Sequence, residues 1–142
     1  MAEQTLPTIR DVIAVAEFRS ALRHFLRRSE KIARQSGLTP QRYTLLMMIK
    51  GAPDGSEQST VTELADRLQL AQSTVTELVR RAESAGLIER EQSQRDARVA
   101  HLRLTREGER RLMLSFTELD AERAQLRDAF ANLDGGVTGG GD

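Results

Sequence analysis

Two predicted helices that are separated by only a few residues constrain the fold of this chain more than any other feature. Thr60 precedes Glu63 by three residues in "STVTELADRL", which is the spacing of a capping box and predicts a short helix from Val61 to about Leu68. The next segment, "AQSTVTELVRRAESAG", has apolar residues at helical spacing and ends at Gly86. Because so short a connection allows few arrangements of two helices, the pattern predicts a helix-turn-helix.

The second of these helices has an apolar face and a polar face. The predicted buried stripe consists of Val75, Leu78, Val79, Ala82 and Ala85, and the polar face consists of Ser73, Thr76, Glu77, Arg80 and Ser84. In DNA-binding proteins with this motif the second helix lies in the major groove, so the polar face is a candidate DNA-reading surface. Helix pairs with short turns also occur in many all-α proteins, so an interpretation without DNA stays open.

A predicted β-hairpin follows the helix pair. Its strands, "LIEREQ" and "VAHLRL", alternate apolar and polar residues, with Leu102 and Leu104 facing inward. The turn between them carries Arg95, Asp96 and Arg98. Minor grooves of DNA attract inserted arginines, and an acid two residues before Arg98 can orient the turn or an arginine through a charge-assisted hydrogen bond. The hairpin therefore has the composition of a DNA-binding wing, and solvated surface charge is the alternative.

Further helices are predicted on both sides of this region. From Thr8, which can cap the first helix, apolar residues recur every three or four positions as far as Gly37. A second helix begins at Thr39 and Pro40 and ends at Gly51, and "APDGSEQ" after it is predicted to be a loop. The last predicted helix is long, follows the capping residue Thr105, and repeats a leucine every seven residues, at Leu112, Leu119, Leu126 and Leu133. Such a seam requires a partner helix.

The composition excludes several classes of function. The 21 basic and 21 acidic residues balance, so any attraction for nucleic acid must come from a local basic surface. The chain has no cysteine, which excludes disulfides, thiolate metal sites and thiol redox sensing. The histidines, His24 and His101, lie on different elements without carboxylates at metal-ligand spacing, so we predict no metal site. Since no catalytic motif, signal peptide or membrane-spanning run appears, we expect a cytoplasmic protein that is not an enzyme.

The segment from Ser59 to Thr105 resembles the winged helix-turn-helix of the MarR family of bacterial transcriptional regulators. The resemblance is carried by "LA.RL.L", by "STVT.LV.R.E..GLI.R" and by the wing pattern D-x-R followed by L-x-L-T. Outside this segment it rests on the order of the elements and on "T..G...L", formed here by Thr105, Gly108 and Leu112.

The resemblance implies a nucleoid-associated homodimer that binds double-stranded DNA at a pseudo-palindromic operator. A ligand-responsive repressor of this kind releases the operator when a small aromatic or anionic effector enters a cleft, and no other cofactor is expected. A winged-helix protein-interaction module without DNA binding is the alternative function, because the fold does not dictate the partner.

The implied fold class is mainly α with a small β-hairpin, in which long N- and C-terminal dimerisation helices flank the winged helix-turn-helix. The corresponding regions are an N-terminal dimerisation helix over 1–38, the DNA-binding domain over 39–105, a C-terminal dimerisation helix over 106–133 and a disordered Gly-rich tail over 134–142.

The family's functional positions can be carried over residue by residue. Arg98 matches the wing arginine placed in the minor groove, Asp96 matches the acid that braces it, and Arg95 lies at the tip. Arg81 and Arg90 match motif arginines that pair with that acid or with phosphate. The positions facing bases or phosphates on the reading helix are Gln72, Ser73, Thr74, Thr76 and Glu77, with Arg80 on the same face.

Glu77 is an unusual residue on a DNA-facing surface, because phosphates repel a carboxylate. One interpretation is that Glu77 accepts a hydrogen bond from the amino group of cytosine in the major groove. The other is a solvated helix charge paired with Arg81, four residues further on.

Three features depart from the family pattern. Ala71 stands where many relatives have a serine cap, and Gln69 stands where glycine is common in the turn. Both affect the first turn of the reading helix. The last helix is predicted to end near Leu133 without the additional terminal helix of many relatives, so the dimer would depend more on the leucine seam.

A ligand pocket is predicted where the first helix approaches the winged helix. Its candidate residues are Arg19 and Arg23 on the first helix and Tyr43 and Met47 on the second. A mixed apolar and cationic lining of this kind suits an aromatic acid. The alternative is that these residues are solvated charges and core fillers, and the sequence leaves both interpretations open.

Overall fold

The computed structural model describes residues 6–135 and divides into two compact units. Residues 6–31 and 118–135 belong to a helical unit, and residues 32–117 form a winged-helix unit. In chain order the elements are α1 (Ile9–Gln35), α2 (Pro40–Lys50), β1 (Gln58–Ser59), α3 (Val61–Leu68), α4 (Gln72–Ser84), β2 (Ile88–Gln92), β3 (Ala100–Leu104), α5 (Arg106–Thr117) and α6 (Asp120–Gly135). Within residues 6–135, no helix is both long and apolar enough to span a membrane. The tail predicted over 134–142 lies almost wholly outside the described residues.

Local capping signals determine where α2 and α3 begin. The Thr39 hydroxyl accepts a hydrogen bond from the backbone N–H of Arg42 at 3.2 Å, and Pro40 occupies the first helical position. Thr60 and Glu63 form the predicted capping box, in which each side chain accepts from the backbone N–H of the other at 3.2 Å. The predicted starts of both helices are confirmed.

The helices of the winged-helix unit enclose an aliphatic core. Its fully buried side chains include Leu45, Leu46, Ile49, Leu64, Val75, Val79, Leu87 and Leu102. Val75, Val79 and Ala82 from the predicted stripe of α4 are buried, whereas Leu78 is half-buried and Ala85 is exposed. The prediction for Ala85 was wrong because this residue is the C-cap of α4 and no longer follows the helical face.

The hairpin belongs to a three-stranded antiparallel sheet with the strand order β1-β3-β2. The predicted strands pair in register from Ile88 opposite Leu104 to Gln92 opposite Ala100. The prediction of a loop up to residue 58 was wrong, because Gln58 and Ser59 pair with β3. A strand of two residues has no periodicity of its own, so only this tertiary pairing defines it.

The prediction of one continuous C-terminal helix was also wrong, because the chain forms α5 and α6 instead. At the end of α5 the Thr117 hydroxyl donates to the backbone carbonyls of Met113 at 3.2 Å and Leu114 at 3.1 Å. The backbone N–H of Arg123 donates to the Leu119 carbonyl at 2.8 Å, so α6 begins directly after Leu119. The chain therefore does carry an additional terminal helix.

The helical unit contains most of α1 together with α6. The rings of Phe18 and Phe130 meet edge to face, with their centroids 6.1 Å apart. Arg28 Nε lies 3.5 Å from Glu122 Oε1. Much of the apolar surface of this unit is exposed in the single chain, at Leu6, Ile9, Val12, Ile13, Val15, Leu26 and Phe130.

A compact junction joins both ends of the hairpin to the end of α4, and we call it the wing root (Gly86, Leu87, Thr105 and Gly108). The Thr105 hydroxyl donates to the Gly86 carbonyl at 2.6 Å, and the Thr105 N–H donates to the Leu87 carbonyl at 3.0 Å. The Gly108 N–H in turn donates to the Thr105 hydroxyl at 3.1 Å. A Cβ on Gly108 would overlap the Leu87 carbonyl oxygen and lie 3.1 Å from its carbon. The "T..G" pair therefore has a packing role.

We predict that Gly108→Ala destabilises the protein. The added methyl group must displace the Leu87 backbone, and overpacking of this kind lowers the free energy of unfolding by about 1–3 kcal/mol. Arg106→Ala, an exposed change at the start of the same helix, is the control and should change stability by less than about 0.5 kcal/mol. Urea unfolding followed by circular dichroism measures both, and equal midpoints for the two variants would contradict the packing role.

Candidate nucleic-acid interface

The turn between α3 and α4 fixes where the second helix begins. Gln69 adopts a left-handed conformation with φ of 54°, and its backbone N–H is bonded to the carbonyls of the last turn of α3. Glycine adopts this conformation without a steric penalty, whereas the Cβ of Gln69 makes it less favourable. Ala71 is the N-cap of α4 and forms no side-chain cap. The Gln72 amide instead reaches the Thr62 hydroxyl at 3.5 Å.

The solvent-facing side of α4 is small and polar in its first turns. Gln72, Ser73, Thr74 and Thr76 are all exposed, as their predicted role requires. Their amide and hydroxyl groups can donate and accept hydrogen bonds, which is the chemistry needed for base edges and phosphate oxygens. The predicted reading positions thus share one accessible surface.

Glu77 forms an ion-pair cluster with the two arginines that follow it on α4, and we call this cluster the α4 clamp (Glu77, Arg80 and Arg81). Glu77 Oε1 accepts from Arg80 Nη2 at 2.6 Å and from Arg81 Nε at 3.1 Å, and Oε2 accepts from Arg80 Nε at 2.9 Å. Hydrogen bonds from Arg80 and then Arg81 lower the pKa of Glu77 from 4.5 to about 2. The carboxylate is therefore ionised at every physiological pH. The sequence indicated the pairing with Arg81 but missed Arg80, although three-residue spacing on a helix is also a pairing distance.

The wing turn is closed by its own backbone and by Ser93. The Ser93 N–H donates to the Val99 carbonyl at 2.9 Å, and the Val99 N–H donates to the Asp96 carbonyl at 3.0 Å. The Ser93 hydroxyl accepts from the N–H groups of Arg95 at 3.2 Å and Asp96 at 3.4 Å. The turn therefore has a defined shape without contacts to a partner.

Asp96 holds Arg98 at the edge of this turn. Asp96 Oδ1 accepts from the backbone N–H of Arg98 at 3.0 Å and from its Nε at 3.2 Å. These bonds, chiefly the backbone one, lower the pKa of Asp96. The Arg98 side chain is 91% exposed, and Arg95 is also exposed at the tip. Asp96 thus orients an arginine that stays accessible to a ligand.

Arg81 and Arg90 have partners other than Asp96. Arg81 belongs to the α4 clamp, and Arg90 Nε lies 2.7 Å from Glu83 Oε1. The part of the prediction that paired these arginines with the wing acid was wrong, because Asp96 is already occupied by Arg98 within the turn. The pair between Arg90 and Glu83 ties β2 to α4 across seven residues, a separation at which helical spacing gives no signal.

A cavity of about 170 Å³ lies between the first turn of α3 and the wing. Thr60 and Thr62 line it on the helix side, and Arg90 and Arg98 line it on the wing side. Hydroxyl and guanidinium donors thus surround a concave surface beside the wing arginine. Groups of this kind bind phosphate oxygens in protein–DNA contacts.

The residues predicted for a ligand pocket lie on two helices in different units. Arg19 and Arg23 are exposed on α1, and Arg19 lines a groove of about 380 Å³ in the helical unit. In the winged-helix unit, Tyr43 is buried on α2, and Met47 lines a separate cavity of about 300 Å³. No cluster of residues able to hold a metal ion occurs among residues 6–135.

Comparison with known proteins identifies the winged-helix unit. A sequence model of the MarR family matches residues 36–99, which include the helix pair and most of the wing. Residues 36–99 are therefore similar to the MarR family. The resemblance seen over Ser59–Thr105 is thereby confirmed as far as residue 99, and the match extends to residues before α2. No curated protein sequence matches the chain.

Solved structures of MarR-family proteins share the fold. The transcriptional regulator Tm0710 from Thermotoga maritima is 26% identical, with 82% of this chain and 88% of that chain covered and a TM-score of 0.59. A mutant MarR from E. coli in complex with operator DNA is 20% identical, with 82% of this chain and 84% of that chain covered and a TM-score of 0.66. MepR from S. aureus in complex with DNA is 23% identical, with 78% of this chain and 80% of that chain covered and a TM-score of 0.62. The predicted winged helix-turn-helix fold is confirmed.

Proposed function

We propose that this chain is a sequence-specific, double-stranded-DNA-binding transcriptional regulator of bacterial cytoplasm, which acts as a homodimer at a pseudo-palindromic operator. The observation that carries the proposal is Arg98, an almost fully exposed arginine that Asp96 orients at the edge of the wing. Its exposure suits insertion into a minor groove, and the polar face of α4 suits the adjacent major groove. The E. coli and S. aureus structures, which contain DNA, support the same partner for this fold.

The assigned contacts follow from these positions. Gln72, Ser73, Thr74 and Thr76 contact base edges and phosphates from α4, and Arg80 and Glu77 lie on the same face. Arg98 and Arg95 contact DNA from the wing. Asp96 supports the wing by orienting Arg98, and the other supporting residues are Arg81 and Arg90, which form ion pairs with Glu77 and Glu83. Because the chain is neutral overall, its affinity for DNA depends on these local groups and on the release of counterions from phosphates.

We propose further that the homodimer forms through the helical unit and that the protein is a ligand-responsive repressor, which releases its operator when a small aromatic or anionic effector binds. The exposed apolar side chains of α1 and α6 support the dimer, because apolar surface of this extent marks an interaction site. Arg19 and Arg23 are the candidate effector contacts in the helical unit, and Tyr43 and Met47 are the candidates in the winged-helix unit.

We predict that Arg98→Ala weakens operator binding about ten- to a hundredfold, which is the loss typical of an arginine that contacts bases. Arg34→Ala removes an equal charge from an exposed position in the last turn of α1 and is the control. Fluorescence anisotropy with operator DNA selected from a random pool measures both. Wild-type affinity should also fall steeply with salt. Undiminished binding by the Arg98 variant, or salt-independent binding, would favour the protein-interaction module.

We predict a dimer of about twice the 15.9 kDa chain mass in sedimentation experiments. Val12→Asp places a charge in the exposed apolar groove of α1 and should shift the protein towards monomer. Gln35→Asp introduces the same charge at the exposed end of α1 and should leave the dimer intact. A footprint on the operator should show two half-sites about one helical turn apart. A wild-type monomer with a single half-site would refute the dimer.

We predict that at least one member of a panel of phenolic acids raises the melting temperature of the protein. A ligand present at about 100 times its Kd stabilises the folded state by about 2.7 kcal/mol, which thermal-shift measurements detect easily. Arg19→Ala should abolish the shift, whereas Arg34→Ala should keep it. An effector in this class is ruled out if no compound in the panel stabilises the wild-type protein.

A further inference from the structure

Two helices of the described chain carry a charge cluster of the same composition and spacing. The two clusters differ in whether they connect separate parts of the fold. The first is the α4 clamp. The second, on α5, is formed by Glu107, Arg110 and Arg111, and we call it the α5 clamp. Its Glu107 accepts from Arg110 at 2.6 and 3.0 Å and from Arg111 at 2.8 Å. The two carboxylates have the same spacing to their arginines, and each has a pKa of about 2.

The α5 clamp has a structural function that the α4 clamp lacks. Arg111 is two-thirds buried and also donates to the carbonyl of Gly37 at 3.4 Å, so it ties α5 to the loop after α1. The Arg80 and Arg81 side chains are 63% and 60% exposed. Within residues 6–135 their hydrogen bonds and ion pairs run only to Glu77, on their own helix. The α4 clamp therefore connects no separate parts of the fold.

Exposed ion pairs within one helix contribute little to stability, so the α4 clamp acts mainly on the charge that α4 presents. Without Glu77, α4 would present two adjacent guanidinium groups on or beside its polar face. With Glu77, one of the two positive charges is neutralised, and Arg80 is engaged through its Nε and Nη2 donors, which form one of the two edges by which a guanidinium binds a phosphate. An arginine must leave the carboxylate before its engaged donors can bind the DNA backbone.

We propose that Glu77 restrains the sequence-independent affinity of α4 for DNA by competing with phosphates for Arg80 and Arg81. This inference rests on the proposed function, because it requires α4 to face DNA. Binding to random DNA is almost entirely electrostatic, so it is the binding mode that such a restraint affects most. A lower affinity for random sequence leaves more of the protein available for its operator. Glu77 is then a specificity-determining residue that acts through the arginines and need not touch a base.

The test compares Glu77→Gln with Glu107→Gln. Each variant removes one carboxylate charge from an equivalent cluster and keeps the shape of the side chain, but only the first changes α4. Binding of each dimer to a fluorescent duplex of random sequence is measured by anisotropy between about 50 and 200 mM NaCl, the range over which counterion release is resolved. Thermal unfolding confirms that each variant is folded.

We expect Glu77→Gln to bind random DNA about fivefold more tightly at 0.15 M salt, with a log–log salt slope steeper by about 0.9. Both values correspond to one additional phosphate contact. Glu107→Gln should bind like the wild type. Unchanged binding by Glu77→Gln would overturn the inference while leaving the proposed function intact. So would an effect confined to operators altered at one base pair, because that result assigns Glu77 to cytosine.

Failure of the proposed function gives a different result. If the wild-type protein and Glu107→Gln bind no duplex at about 50 mM NaCl, a folded Glu77→Gln variant that binds random DNA still supports the restraint. If that variant also fails to bind, both the proposed function and the restraint by Glu77 are wrong. Weakened binding by Glu77→Gln would show that the carboxylate organises the arginines for contact, which contradicts competition.

Discussion

The close packing of Gly108 on the backbone of Leu87 is the constraint on which the winged-helix unit depends. Around it, the wing root joins the end of α4, the start of β2, the end of β3 and the start of α5 through hydrogen bonds that involve the backbone. The hairpin is thus held at both ends against the end of α4. Since these bonds involve few side-chain torsions, the direction in which the wing leaves α4 is determined by the backbone. The proposed contacts of α4 and the wing need such a fixed relation, because both must meet one DNA duplex.

Charge in this protein is organised in local clusters. Two of the basic groups that would approach DNA are positioned by an acid close in the sequence, because Arg98 pairs with Asp96 and Arg80 pairs with Glu77. Each acid reduces the net attraction for phosphate while it limits the orientations of its arginine. A neutral chain is therefore compatible with a DNA-binding surface, and the balance between attraction and orientation is set within single turns and single helices.

The sequence predicted those parts of the structure whose causes are local. The start of α3 follows from Thr60 and Glu63, and the turn of the wing follows from Asp96 and Arg98, because the interacting groups are two or three residues apart. The leucine repeat predicted one long helix, since its seven-residue spacing continues through the break at Leu119. Neither β1 nor the pair between Glu83 and Arg90 could be predicted, because each depends on partners that only the folded chain brings together.

The closed turn of the wing has a consequence for how proteins with such a wing diversify. Ser93, Asp96 and Val99 hold the turn through bonds that leave the side chains of Gln94, Arg95 and Ala97 without a structural task in the described chain. Substitutions at these three tip positions can accumulate without refolding the hairpin. If the wing enters a DNA groove as proposed, a duplicated gene acquires a new groove preference through the tip alone, and its capacity to evolve is concentrated in a few side chains.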